Sequence, residues 1–225
     1  MFRRLVLAAT LAAAPALAQA APLTVVELFQ SQGCSSCPPA NANVNALIAS
    51  RPDVLALSFA VTYWDQLGWK DRFATPAYTR RQHDYAAGLG HDNVWTPQVI
   101  VNGRADTTAT RPGQLERLIA TTGRVAGPAL TVGGGKVMVA AASSTGPADV
   151  WAVRYDPHTV EVAVKAGENN GRTLPHRNIV RQLTRLGAWN GAAQTYSLAP
   201  ADAGLATAIL VQRTGGGPIL AAARG

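Results

Sequence analysis

Residues 25–61 read VVELFQSQGCSSCPPANANVNALIASRPDVLALSFAV. Val25–Phe29 is a short apolar run rich in β-branched side chains. Val54–Val61 is a longer continuous one, and both predict strands. Between them, within Ala40–Ala49, Val44, Leu47 and Ile48 recur at i, i+3 and i+4, which is one face of a helix. Pro52-Asp53 turns the chain into the second strand. Strand, helix and strand with short connections form a βαβ unit, which implies a parallel pair with a right-handed crossover.

Beyond this unit the chain becomes aromatic and charged, with YWDQLGWKDRF at 63–73 predicting a structured loop. Thr75 is placed to cap a helix with Pro76 at its first position, running to about Gly88. Thr96-Pro97 precedes a strand over Gln98–Val101 that turns at Asn102-Gly103. Pro112–Thr122 predicts another helix, with Leu115, Leu118 and Ile119 inward. The texture changes over Gly123–Pro128. Short strands are then predicted at 129–132, 136–141, 149–155, 159–165, 206–213 and 218–222, separated by turn residues that include two Gly-Gly-Gly runs. Residues 179–186 have apolar spacing that suits a helix in surroundings that suit a strand, and strand is preferred. The expectation is an α/β domain with a helical insertion over 21–125, followed by a small antiparallel β-sandwich over 126–225.

The chain has 225 residues, is 48% hydrophobic and is only 15% charged, which excludes a disordered protein. Its formal charge is +7, but no long basic run points to nucleic acid. Arg3 and Arg4, the apolar stretch Leu5–Leu17 and Ala18-Gln19-Ala20 together read as a signal peptide cut after Ala20. The alternative is an uncleaved anchor. The expected address is a bacterial periplasm or secretion, with no membrane insertion after cleavage.

That address makes the two cysteines, Cys34 and Cys37, informative. A bridge closing so short a loop contributes about 2 kcal/mol at best, and a chain of this size can bury a core without it. Chemistry is the better explanation. A cysteine ahead of a helix meets unpaired N–H groups and the positive end of the helix dipole, which favour a thiolate. Cys34 is therefore expected to carry an exposed, acidified thiol, and Cys37 to resolve the mixed disulfide it forms. Two readings compete with exchange chemistry. The CxxC pair can hold Cu(I) or another soft metal, or it can be a locked disulfide in a non-catalytic adaptor.

The strand VVELF, the CSSC motif and TPQVIVNG at 96–103 resemble the thioredoxin superfamily. Over nearly the whole mature chain, VELFQSQGCSSCPP, YWDQLGWKDRFATPAYTRRQ and GENNGRTLPHRNIVRQL are similar to a secreted bacterial thioredoxin-like group classed as a domain of unknown function. The resemblance implies that Pro97 is a cis-proline facing the cysteines, with Thr96 its variable neighbour. Together they would present backbone to an extended substrate segment. It also implies that Glu27, an acid in the middle of an apolar strand, accepts the proton of Cys37. The alternative is a Glu that is solvated or salt-bridged. The chain departs from ordinary thioredoxins in its Ser-Ser dipeptide and its added β-domain.

Trp64, Asp65, Trp69 and Trp95 lie near these loops in sequence and could line a substrate groove, or serve as core aromatics beside a solvated Asp. His83, Asp84, His91 and Asp92 carry ligand atoms without metal-site spacing. His176, with Arg172, Arg177, Arg181 and Arg185, forms a basic stretch that reads as a solvated loop or as an anion or docking site. The sequence thus predicts a thiol–disulfide oxidoreductase. Cys34, Cys37 and Glu27 would be catalytic, and Thr96, Pro97, Trp64 and Trp95 would bind substrate. No metal and no cofactor are implied. The partners would be exported proteins with thiols or disulfides, and a redox partner protein.

Overall fold

The computed structural model describes residues 22–144 and 146–225. The expected signal peptide, residues 1–20, lies outside the described residues. The elements run β1 (Thr24–Gln30), α1 (Cys37–Ser50), β2 (Val54–Ala60), α2 (Pro76–Leu89), β3 (Gln98–Val101), β4 (Ala105–Thr107) and α3 (Gln114–Thr122). The strands that follow are β5 (Leu130–Gly133), β6 (Lys136–Val139), β7 (Ala148–Asp156), β8 (Val160–Ala163), β9 (Thr173–His176), β10 (Ile179–Trp189), β11 (Gln194–Ser197), β12 (Ala206–Arg213) and β13 (Ile219–Arg224). Among the described residues no helix is long and apolar enough to cross a membrane.

The protein is mixed α/β, with few helices around one large mixed sheet in the order β13-β12-β7-β10-β2-β1-β3-β4. The βαβ unit forms as its apolar runs predict: β1 and β2 are parallel and in register from Thr24↔Val54 to Gln30↔Ala60. Alternation along β1 sorts its side chains onto two faces. Val26 and Leu28 pack with Ala40, Val44 and Leu47 of α1 and with Leu115 and Ile119 of α3. Val25 and Phe29 pack on the opposite face with Tyr78 and Tyr85 of α2. Thr75 caps α2 by accepting from the Tyr78 N–H, and Gly90 ends it with a left-handed φ of 76°.

The change of texture near residue 125 predicts a sandwich of its own, and here the structure differs. Strands β7, β10, β12 and β13 extend the same sheet past β2. The remaining sheet, β11-β6-β5, is packed against them: Val137, Val139 and Tyr196 meet Val150, Ile209 and Val211 in one cluster. Strand β2 pairs with β1 on one edge and with β10 on the other, which joins the two halves in one sheet. The seam is Asn178-Ile179. Ile179 pairs with Ser58 in parallel, the Ser58 N–H donates to the Asn178 carbonyl at 3.0 Å, and Asn178 Nδ2 donates to the Ala56 carbonyl at 2.7 Å. Asn178 adopts φ 49°, a conformation that Asn tolerates better than most residues. The 179–186 stretch is a strand, as its surroundings predict. The strands β4, β9 and β11 are absent from the sequence reading.

Asn178→Ala should therefore weaken the joint between the two halves. It strands the buried Ala56 carbonyl and places Ala at positive φ, so the unfolding free energy should fall by about 1–3 kcal/mol. A urea titration followed by tryptophan fluorescence measures this, and an unchanged midpoint would contradict the seam's role.

Candidate functional site

Two prolines, Pro38 and Pro39, occupy the first turn of α1 and bring no N–H groups to its start. Ser36, the residue before the helix, makes no side-chain cap to the helix backbone. Its hydroxyl lies 3.2 Å from Cys34 Sγ instead, and 3.3 Å from the Thr96 carbonyl, to which it donates. The Thr96–Pro97 peptide is cis, and Cys34 Sγ lies 3.8 Å from the Thr96 carbonyl. The cysteines and the Thr96-Pro97 loop are thus brought together as the sequence predicts.

Cys37 donates to Cys34 across 2.6 Å. That hydrogen bond lowers the Cys34 pKa from its ordinary value to about 6, against the opposing effect of burial and with help from the Ser36 hydroxyl, Thr96 and the Ser36 N–H. Burial, followed by the hydrogen bond to Cys34 and its charge, pushes the Cys37 thiol upward. The pair is asymmetric in the sense that exchange needs: one sulfur ionises readily and the other keeps its proton. One expectation needs correction. Cys34 is acidified but has no exposed surface, and neither has Cys37. The neighbouring Ser35 and Ser36 are the exposed residues of the loop.

Glu27 also needs correction. It lies on the α2 side of β1, whereas the motif leads into α1 on the other side. Its carboxylate accepts two hydrogen bonds from Arg81, at 2.9 and 3.1 Å, and a short one from Tyr85. Glu27 is 1% exposed and Arg81 5%. Burial works against the Arg81 charge, and the adjoining carboxylate prevails to hold the guanidinium above its ordinary pKa. This is a buried structural ion pair, not a proton acceptor for Cys37.

Of the predicted groove residues, Trp64 is in place: its indole N–H donates to Thr96 Oγ1 at 2.8 Å. The Trp95 ring packs edge-on against His91, 4.9 Å between centroids, while His91 pairs with Asp106 at 3.1 Å. Trp95 thus packs on that pair, one residue before the Thr96–Pro97 peptide. Among the described residues no three His, Cys, Asp or Glu side chains converge as a metal site. His176 is fully buried, not part of a solvated loop, and burial lowers its pKa to about 4.

Three residues that the sequence reading passed over hold the loop. Asp71, 1% exposed, accepts from the Gln32 N–H at 3.0 Å and the Phe73 N–H at 2.9 Å, and burial pushes its carboxyl up to about 6. Asn169, fully buried, donates to the carbonyls of Gln32 at 2.9 Å and Cys34 at 2.8 Å. Glu168 accepts from the Ser35 N–H at 2.9 Å. Trp69 adds a bond from its indole N–H to Gln32 Oε1 at 2.9 Å. The sequence signal for the second and third was the GENNGRTLPHRNIVRQL stretch that contains them, which carries the family resemblance without assigning either residue a role.

The family model described as a protein of unknown function, DUF1223, matches residues 25–212. The chain belongs to this family. Among solved structures, the DUF1223 chain is similar to protein AGR_C_4864 from Agrobacterium tumefaciens, at 33% identity and TM-score 0.73 over 92% of this chain and 95% of that one. It also shares a fold with HBP35 of Porphyromonas gingivalis, at 13% identity and TM-score 0.59 over 91% of this chain and 74% of that one. The comparison with curated proteins gives no match. For this DUF1223 protein the matched region contains every residue named above around the thiols.

Ser36→Ala removes the hydroxyl that lies 3.2 Å from Cys34 Sγ and helps lower its pKa, so the Cys34 midpoint should rise above about 6. Iodoacetamide labelling of the reduced protein across pH, read by peptide mass, should modify Cys34 before Cys37 in both proteins. Preferential labelling of Cys37, or a lower midpoint in Ser36→Ala, would contradict the assignment.

Proposed function

We propose that this protein is an exported thiol–disulfide oxidoreductase whose first half is a thioredoxin-like unit, acting on protein thiols or disulfides through Cys34 and Cys37. The observation that carries the reading is the asymmetric thiol pair, 2.6 Å apart, beside the cis Thr96–Pro97 peptide. The signal-like segment at residues 1–20 supports export, and the CSSC and TPQVIVNG motifs support the thioredoxin-like assignment.

In the reducing direction the Cys34 thiolate attacks one sulfur of a substrate disulfide. A Cys34–substrate disulfide forms, the substrate S–S bond breaks, and the departing thiolate takes a proton from water. Consuming the Cys34 charge removes one of the causes that hold the Cys37 pKa up. Cys37 then gives its proton to the hydroxide left in the water and attacks Cys34 Sγ, closing the Cys34–Cys37 disulfide and releasing the second substrate thiolate. Two electrons pass from the dithiol to the substrate. The reverse sequence donates a disulfide, and a thiol or disulfide partner protein resets the pair. Because Cys34 is buried, the substrate sulfur enters by displacing the exposed Ser36 side chain beside it, and Thr96 presents its backbone to the incoming segment.

Cys37→Ser keeps the nucleophile and removes the resolving thiol. It should accumulate disulfide-linked partners in non-reducing gels of periplasmic or culture extracts. If it traps no more than the Cys34→Ser/Cys37→Ser double variant does, the exchange reading fails and the locked-adaptor reading replaces it.

A further inference from the structure

The loop joining β8 to β9 reaches the thiol site from the far half of the chain, 135 residues away at its contact with Cys34. Asn169 uses its whole side chain there. Its two N–H groups serve the carbonyls of Gln32 and Cys34, and its Oδ1 accepts from Arg172 at 2.8 Å. The Cys34 carbonyl also accepts from the Cys37 N–H at 3.2 Å, so it has two donors. Gly167, with φ 71°, lets the loop close on the aromatic segment: a Cβ there would lie 3.3 Å from Trp69 Cβ. Glu168 is exposed and takes the Ser35 N–H, immediately next to Cys34.

We propose that residues 167–172 are a positioning element of the thiol site: Asn169 holds the carbonyls on either side of Gly33, and Glu168 sets its negative charge against the Cys34 thiolate and so moderates its acidity. The inference rests on the function proposed above. An amide at the start of a helix normally favours a nearby anion. Here the Glu168 carboxylate sits on the Ser35 N–H, one residue before the Ser36 N-cap and next to Cys34, and a negative charge there opposes the one that Cys34 acquires on ionising. The Ser35 N–H in turn lowers the pKa of Glu168, which keeps it charged where Cys34 titrates. The titratable groups that act on the thiol directly are Cys37 from α1 and Tyr63, whose phenol burial pushes up to about 12 and which feels both sulfurs. Asp71 stands behind Gln32 and Arg172 behind Asn169. Glu168 is the exposed carboxylate in this set, so it can be altered without opening the core.

The test is the pH–rate profile of iodoacetamide alkylation at Cys34 in the full reduced chain, at low and high salt. Glu168→Gln keeps an acceptor for Ser35 and removes the charge. It should lower the Cys34 midpoint and raise alkylation about twofold to fivefold at a pH below that midpoint, with a smaller effect at high salt. Asn169→Asp keeps the acceptor for Arg172 but turns a carboxylate toward the two carbonyls, so it should raise the midpoint, and by more than Asn169→Ala does. A depressed parent midpoint that Glu168→Gln leaves in place would overturn the role of Glu168. An Asn169→Asp midpoint equal to that of Asn169→Ala would overturn the role of Asn169. A parent midpoint near the ordinary thiol value would overturn the proposed function itself.

Discussion

The backbone of a tight, buried turn must find hydrogen-bond partners that the turn itself cannot supply. In residues 32–35 the Gln32 N–H goes to Asp71, the Gln32 and Cys34 carbonyls go to Asn169, and the Ser35 N–H goes to Glu168. The geometry of the two sulfurs depends on these bonds. The half of the chain that supplies Asn169 and Glu168 is joined to the first half through the sheet at Asn178-Ile179. A hinged domain could not keep Asn169 within 2.8 Å of the Cys34 carbonyl.

The charge layout follows a second constraint. The buried ion pair of Glu27 and Arg81 is placed on the α2 face of β1, where Arg81 also stacks near the rings of Phe59, Tyr85 and Trp151. Removing either partner of such a pair is costly, since the other charge is left buried. The local electrostatics of Cys34 come from its thiol partner, from burial, and from the Ser36 and Thr96 groups beside it.

Much of this was legible in the chain itself. The apolar runs around Pro52-Asp53 specify the parallel βαβ unit, Thr75-Pro76 specifies the start of α2, and the CSSC and Thr96-Pro97 motifs find each other. Strand alternation already separates Glu27 from Leu28, so the side on which Glu27 lies could have been counted. The strands β9 (TLPH) and β11 (QTYS) carry a proline and polar residues respectively, and their pairing comes from neighbours rather than from local propensity. Asn169 and Asp71 were not legible for another reason. Their role is to pair with backbone far away in sequence, and no period or spacing records such a bond.

The most direct measurement of the account is the equilibrium of Cys34 and Cys37 with glutathione, quenched with acid and read by mass after alkylation. An exchange site should oxidise and reduce reversibly, with a potential in the range of about −270 to −120 mV found for disulfide oxidoreductases. A pair that remains bridged at potentials below about −300 mV, as structural disulfides do, would contradict it.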